Sequence, residues 1–265
     1  MFTARLATAV VLLAFSISAL WWLPNAWWTG LLLPVLAAAS WEWGALAGFT
    51  RKARLTFSAI VLASAVLLWL RGEGRHTLDA LVYGMSCAFW VSLAPAWLAL
   101  RWRVRAPLVL GIAGWIVLLP AWLALARLQA QPSQLLTLLG VVWVADTAAY
   151  LTGSAWGRHA LAPAISPGKT WEGVAGAAAA VAVYYVLLSG VTPEWPWWEN
   201  ASGAALFAGV ALLSMVGDLF ESWIKRQAGV KDSGTLLPGH GGILDRVDSM
   251  TSSLPFAAAL LLYIG

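Results

Sequence analysis

SGAALFAGVALLSMVGDLFESWIKRQAGVKDSGTLLPGHGGILDRVD, residues 202–248, is the stretch that decides the fold of this chain. Its first part, 202–220, is apolar and approaches the length of about 20 residues that a helix needs to cross a bilayer. The following segment, Ser222–Asp248, is rich in glycine and in charges of both signs. Together with Asp218 and Glu221 it holds nine of the 28 acidic and basic residues of the chain. Charged groups are costly beside a bilayer, so this dense polar segment indicates a functional site.

The rest of the chain has the composition of a membrane protein. Hydrophobic residues make up 61% and charged residues 11%, and the mean hydropathy is +0.77. Soluble domains carry about 25% charged residues. The sequence predicts an all-α, polytopic bundle of about nine transmembrane helices in a single transmembrane domain, 1–265, with N-terminal spans in 1–133 and catalytic spans with their loops in 134–265. The predicted spans are 6–23, 27–49, 55–70, 78–100, 107–127, 134–153, 171–190, 202–220 and 250–264.

The basic residues predict the orientation of these spans. With the N-terminus in the cytoplasm, thirteen of the 16 Lys and Arg residues lie on the inner side, and only Arg71, Arg75 and Arg127 lie outside. Such an excess is typical of cytoplasmic loops. The segment Ser222–Asp248 therefore faces the cytoplasm. The net charge of +4 does not indicate nucleic-acid binding, because the basic residues form short clusters between apolar runs.

A carboxylate lies within the sixth predicted span. Asp146 stands near the end of this span, with Tyr150 one turn further on the same face. An isolated carboxylate in a membrane helix is usually functional or paired with a neighbouring helix, so both roles stay open. The next span contains the small-residue stretch 173–186, which suits close helix packing within the chain or between the two chains of a homodimer.

The loop before the seventh span combines a cation with hydroxyl groups. In Ser166–Gly173, SPGKTWEG, Lys169 and the hydroxyl groups of Ser166 and Thr170 lie at a predicted helix N-terminus, where free N–H groups attract phosphate oxygens. The alternative is that Ser166 or Thr170 simply caps the helix. A P-loop is excluded, because its first glycine would fall on Pro163.

The helical spacing brings acidic side chains onto two helix faces. If the eighth span continues as a helix, four polar residues recur at i, i+3, i+4 and i+7, namely Asp218, Glu221, Ser222 and Lys225. The same i, i+3, i+4 spacing occurs at the start of the ninth span, in Asp245, Asp248 and Ser249. Neighbouring carboxylates repel unless a cation joins them, and oxygen ligands suit Mg²⁺. The alternative is salt bridging to the nearby cations, which are Lys225, Arg226, Lys231 and Arg246.

A glycine-rich turn separates these two helix faces. The turn Pro238–Gly242, PGHGG, allows its backbone to approach a ligand closely. His240 lies within it, as a proton donor, a phosphate contact or a hydrogen-bonded turn residue.

In these residues the chain resembles the phosphatidate cytidylyltransferases, also called CDP-diacylglycerol synthases. The signature of that family is a Ser, a Lys-Arg pair, a Lys-Asp pair, a His-Gly-Gly turn, an Asp-Arg pair and a final Asp. Every fixed position matches, at Ser222, Lys225-Arg226, Lys231-Asp232, His240-Gly241-Gly242, Asp245-Arg246 and Asp248. The upstream features of the family also occur, at Asp146 with Tyr150 and at Ser166-Pro167 with Lys169-Thr170. The resemblance covers residues 140–250 best.

This resemblance implies an integral protein of the bacterial inner membrane that uses CTP and phosphatidic acid to make CDP-diacylglycerol and pyrophosphate. It implies Mg²⁺ as cofactor, and suggests K⁺ beside it. We expect a catalytic role for Lys225, Arg226, Asp245 and Asp248. Metal binding is expected of Asp218, Asp245, Glu221 and Asp146. Substrate contacts are expected of Ser166, Lys169, Thr170, Ser222, Lys231, His240 and Arg246.

Two other classes of function fit parts of the pattern. An ion- or proton-coupled transporter would explain the intramembrane carboxylates, but not the long polar segment with its glycine turn and basic pairs. A related CTP-dependent lipid transferase or kinase would share most of the same residues. A CDP-alcohol phosphotransferase is excluded, because its DG-x-x-AR motif does not occur in the chain.

Overall fold

The structure is a computed structural model that describes residues 14–71, 76–190, 201–236 and 241–264. A helical segment, α1, occupies residues 14–22, and the remaining elements follow in chain order. They are α2 (Asn25–Leu46), α3 (Arg51–Leu70), α4 (His76–Ala88), a π-helical turn (Phe89–Leu93), α5 (Ala94–Ala99), α6 (Pro107–Leu128), α7 (Pro132–Trp156), β1 (Ala160–Ala162), β2 (Ser166–Thr170), α8 (Trp171–Ser189), α9 (Ala201–Gln227) and α10 (Leu244–Ile264).

The helices lie where the apolar segments predict them. Each of the nine predicted spans coincides with a helical segment, although 6–13 of the first span fall outside the described residues. Six of the described helices are long and apolar enough to cross a membrane. The helical, membrane-integrated architecture is therefore confirmed, whereas the number of nine crossings and their orientation remain predictions.

The two ends of the bundle carry different sets of polar contacts. At one end the side chain of Asn25 donates hydrogen bonds to Ala126 O (2.7 Å) and to Gln129 Oε1 (2.9 Å). The side chain of Gln129 in turn donates to Leu20 O (3.1 Å) and Leu23 O (3.0 Å). These contacts close the bundle at the start of α2 and the end of α6. The functional side chains lie at the opposite end.

A cluster of aromatic rings fixes α9 in the centre of the bundle. The ring of Phe220 packs against Trp43 on α2 and against Phe89, Trp90 and Trp97, with ring centroids 5.3 to 6.5 Å apart. Phe89 and Trp90 stand at the start of the π-helical turn, and both are buried. Edge-to-face and offset ring contacts add to the free energy of burial. This cluster holds the segment of α9 that carries Asp218 and Glu221 in position.

Glycine lets α9 and α10 touch near the polar end of the bundle. A Cβ atom at Gly217 would overlap Ser252 Oγ and would lie 2.6 Å from Asp248 O. The Ser252 hydroxyl donates a hydrogen bond across this contact to Leu213 O at 2.7 Å. The close approach brings the carboxylates of the two helices together.

The short antiparallel hairpin of β1 and β2 is an addition to the predicted all-α fold. Ala160 pairs with Thr170 and Ala162 with Ser166, and the hairpin leads directly into α8. Pro163 and Pro167 explain why this segment is not helical, because each lacks an N–H group and fixes its own φ. The hairpin positions Lys169 over the end of the bundle.

A buried carboxylate on α2 anchors the polar loop to the bundle. Glu42 is 6% exposed and accepts hydrogen bonds from Ile243 N (3.1 Å) and Leu244 N (2.8 Å) at the start of α10. It also accepts one from the Ser233 hydroxyl at 3.0 Å. A carboxylate suits these N–H groups, because they have no partner within their own helix. Glu42 therefore joins α2 to the polar loop and to the start of α10, both of which are far from it in sequence.

We expect Glu42→Gln to destabilise the protein by about 2 to 3 kcal/mol, because the amide loses one acceptor oxygen and turns its NH₂ group toward buried donors. Thermal unfolding in detergent measures this as a lower Tm. Glu172→Gln is the matched control, since Glu172 pairs with the mostly exposed His159. Equal effects of the two substitutions would show that Glu42 is not an anchor.

Candidate active site

The polar side chains singled out in the sequence gather at one end of the bundle. They come from α7, the hairpin, the last turns of α9, the loop after α9 and the first turns of α10. The continuation of α9 to Gln227 confirms that Asp218, Glu221, Ser222 and Lys225 share one helix. α10 begins at Leu244, so Asp245, Asp248 and Ser249 also share one helix.

A lysine bridges two carboxylates at the centre of this site. Lys225 Nζ lies 3.0 Å from Glu221 Oε2 and 2.6 Å from Asp245 Oδ1. The side chains are 12%, 4% and 8% exposed respectively, so the three charges are largely shielded from solvent. Buried charges are stable only when they are paired. This pairing joins α9 to α10.

Asp245 also organises the loop that precedes it. Its Oδ2 atom accepts hydrogen bonds from Ser233 N (2.9 Å) and Gly242 N (2.8 Å). Burial alone would raise the pKa of Asp245, but Lys225 and these two N–H groups lower it below its ordinary value. Gly241 has a φ of +82°, and a Cβ atom there would lie 2.7 Å from Asp245 Oδ2. The His-Gly-Gly turn therefore requires glycine at position 241.

A second ion pair is more open. Lys169 Nζ lies 2.6 Å from Asp218 Oδ2, and the two side chains are 24% and 31% exposed. The Ser222 hydroxyl donates a long hydrogen bond of 3.4 Å to Asp218 Oδ1. This ion pair holds the hairpin against α9 and leaves both charged groups accessible.

Two further carboxylates stand beside Asp218. Asp146 on α7 is exposed and accepts a hydrogen bond from the Ser249 hydroxyl at 3.2 Å. Asp218 is close enough to Asp146 and to Asp248 for its negative charge to act on both. The structure therefore brings the carboxylates of α7, α9 and α10 into one neighbourhood.

Glu221 and Asp248 form the most unusual contact of the site. Their carboxyl groups are direct neighbours. Glu221 Oε1 is buried and receives no hydrogen bond from the described residues. Two adjacent carboxyl groups repel unless they share a proton or a cation. This pair is therefore suited to sharing a proton or to holding a cation in addition to Lys225, which contacts the other oxygen of Glu221.

Oxygen ligands of this kind fit a hard divalent cation, which keeps several water ligands and needs few protein groups. Among the described residues, no group of three or more His, Cys, Asp or Glu side chains is arranged as a ready metal site. Both oxygens of Asp245 are already bonded, whereas Asp218 and Asp146 are accessible and Glu221 has a free oxygen. The predicted set Asp218, Asp245, Glu221 and Asp146 stays a prediction, in which Asp245 is the least available member.

The remaining predicted residues lie around this centre. Thr170 Oγ1 accepts a hydrogen bond from Gly173 N at 3.1 Å, so the predicted alternative of a helix cap is the one observed for this hydroxyl. Arg226 Nε donates to Ile165 O at 3.5 Å and so links α9 to the hairpin turn. Ser166 lies in β2, and Lys231 and Arg246 have exposed side chains. His240 lies outside the described residues.

Glu42 was not predicted as part of this end of the bundle. Its signal in the sequence is the same one that indicated Asp146, a carboxylate inside an apolar segment, here SWEWG. Its partners follow about 190 to 200 positions later, at Ser233, Ile243 and Leu244. Local spacing could identify Glu42 as functional or paired, but could not identify its partners.

Comparison with known proteins identifies the family of the chain. A model of the cytidylyltransferase family matches residues 3–264. A phosphatidate cytidylyltransferase of Pseudomonas aeruginosa is 38% identical over 98% of this chain and 97% of its own length. One from Haemophilus influenzae is 30% identical over the whole of both chains, and one from Brucella suis is 36% identical over 98% of this chain and 91% of its own. The predicted family is thereby confirmed, and the chain belongs to the cytidylyltransferase family of transferase enzymes.

Proposed function

We propose that the protein transfers the cytidylyl group of CTP to phosphatidic acid, giving CDP-diacylglycerol and pyrophosphate for phospholipid biosynthesis. The observation that carries the proposal is the accessible ion pair of Lys169 and Asp218, 2.6 Å apart, beside the carboxylates of Asp146, Glu221 and Asp248. Lys169 can exchange Asp218 for a substrate phosphate, and the oxygens of the neighbouring carboxylates can bind a metal ion. The family of the chain supplies the identity of the substrates.

The nucleophile needs little activation in this reaction. Phosphatidic acid is a phosphate monoester with between one and two negative charges near neutral pH, so its oxygen can attack directly. We infer an in-line displacement, in which this oxygen forms a bond to the α-phosphorus of CTP while the bond to the leaving pyrophosphate breaks. The main barrier is the approach of two anions and the charge on the leaving group, which fixed cations can stabilise.

The geometry divides the charged residues into two groups. Lys225 and Asp245 are saturated by buried contacts, so we assign them to holding α9, α10 and the loop in register. Lys169 is accessible, and we assign it to the phosphate of a substrate. Bound Mg²⁺ would be held by Asp218 and Glu221, with Asp146 nearby, and would neutralise charge on the phosphates. The predicted K⁺ stays a prediction.

We also propose that the site faces the cytoplasm of the bacterial inner membrane. Twelve described Lys and Arg residues lie at the site end of the helices and their loops, whereas Arg71 and Arg127 lie at the opposite end. This distribution supports a cytoplasmic site by the positive-inside rule, and CTP is a cytoplasmic nucleotide.

The activity is tested with purified protein in detergent, CTP labelled at the α-phosphate, phosphatidate and Mg²⁺. We expect label to enter the organic phase only when phosphatidate is present. Asp218→Asn is expected to lower turnover by about 100-fold or more, because it removes a charged ligand of the Mg²⁺ that would neutralise the reacting phosphates. Asp79→Asn is the control, since Asp79 pairs with Arg127 at the far end of the bundle, 3.0 Å away. Label that stays aqueous in every condition would refute the proposed activity.

The mechanism makes a separate prediction about stereochemistry. With CTP that is chiral at the α-phosphorus, a single in-line displacement inverts the configuration. Analysis of the CDP-diacylglycerol product by phosphorus NMR measures the outcome. Net retention would indicate two displacements and a covalent intermediate.

The orientation can be measured with single cysteines in a Cys87→Ser background. Val230→Cys lies in the loop after α9, and Arg71→Cys lies at the far end of the bundle, both at exposed positions. In intact bacterial spheroplasts, we expect a membrane-impermeant maleimide to label Arg71→Cys and not Val230→Cys. The reverse pattern would place the site outside the cytoplasm.

A further inference from the structure

An apolar groove runs along the outer surface of the bundle between α8 and α9. Its volume is about 430 Å³. The residues that line it come from both helices, and among them are Val174, Ala178, Ala182, Ala208, Leu212 and Met215. A cavity of this size is within the range of small-molecule sites.

The groove begins directly beneath the accessible ion pair of the active site. Met215 precedes Asp218 by three residues on α9, and Val174 follows the strand that carries Lys169. The contact between Lys169 and Asp218 bridges the two elements at this end, with 2.6 Å between Nζ and Oδ2. A ligand with a phosphate at Lys169 would therefore have an apolar channel below it.

The groove stays open because each helix packs closely against a different neighbour. On α8, a Cβ atom at Gly176 would overlap Thr152 of α7, and one at Gly173 would lie 2.8 Å from Ala149 O. On α9, a Cβ atom at Gly209 would overlap Phe256 of α10. Five of the twelve residues that line the groove are alanines, which are too small to fill the space.

The length of the groove matches one leaflet of a membrane. From Met215 to Ala204 the helix rises about 16 Å at 1.5 Å per residue, which is about half of the 30 Å hydrocarbon core. The rings of Tyr185 and Phe207, with centroids 5.3 Å apart, form the wall toward the far end. An extended acyl chain that starts at the charged end would follow this channel.

We propose that the groove between α8 and α9 binds an acyl chain of the lipid substrate, with the lipid phosphate beside Lys169. The inference rests on the proposed function and adds the place where the lipid lies. It is supported by the position of the groove, which is apolar, as long as one leaflet, and begins beside Lys169, the cation assigned to the lipid phosphate. Groove residues then contribute to the preference for long acyl chains, because each buried CH₂ group favours binding.

The test compares a groove position with an exposed position about one turn away on the same helix. Ala208 lines the groove, whereas Ala205 is exposed on α9 and does not line it. Turnover is measured with dioleoyl and with dihexanoyl phosphatidate. We expect Ala208→Phe to lower the ratio of kcat/KM for the long over the short substrate by about tenfold, the effect of a few displaced CH₂ groups. Ala205→Phe should leave the ratio unchanged.

A second pair of variants, on α8, keeps the test decisive if Ala208→Phe does not fold. Ala178→Phe fills the groove from the other side, and Ala179→Phe is its exposed control. We also expect a phosphatidate with a diazirine in its acyl chain to crosslink to α8 or α9 in the wild-type protein, and less so in Ala178→Phe.

Three outcomes would overturn the inference. Equal chain-length ratios in groove and control variants, with wild-type activity intact, would remove the groove from lipid binding and leave the proposed function standing. If Ala208→Phe alone converts a dimer to a monomer and leaves the chain-length ratio unchanged, the groove is an interface between two copies of the chain. No transfer to either phosphatidate by the wild-type protein would refute the proposed function and this inference with it.

Discussion

The buried bridge of Lys225 between Glu221 and Asp245 is the interaction on which the site depends. Each of these charges would be costly to bury alone, and the ammonium group stabilises both carboxylates at 3.0 and 2.6 Å. Asp245 in turn orders Ser233 and Gly242 through its second oxygen. Removal of Lys225 would leave two buried carboxylates without a counter-ion, so α9, the loop and α10 hold their positions as one unit.

Glu42 stabilises the same loop from the opposite side. It bonds Ser233 and the first N–H groups of α10, while Asp245 bonds the backbone of Ser233 and Gly242. The loop is therefore held between two carboxylates, one from α2 and one from α10. This rigid frame leaves the hairpin, Lys169 and Asp218 as the accessible part of the site. The carboxylates that stabilise the loop, Glu42 and Asp245, are thus different from the residue assigned to contact the substrate, Lys169.

The sequence could predict what local spacing determines. Apolar runs located every helix, and the i, i+4 rule correctly placed Lys225 beside Glu221. The partners of Glu42 could not be found in this way, because they lie about 200 positions away and depend on how α2 packs against α10. The hairpin was also missed, since its strands are only three and five residues long. For Thr170 the residue type suited both a cap and a phosphate contact, and only the coordinates showed the cap.

The open ion pair has a consequence for how the substrates and a cation would bind. In this structure Lys169 neutralises Asp218. A substrate phosphate that takes Lys169 as its partner leaves Asp218 without a counter-ion beside Asp146 and Asp248, in a cluster of acidic groups. Like charges in such a cluster repel, and the free energy of the cluster falls when a cation joins it. Binding of the anionic substrate and of a divalent cation should therefore favour each other, and by linkage the effect is equal in both directions.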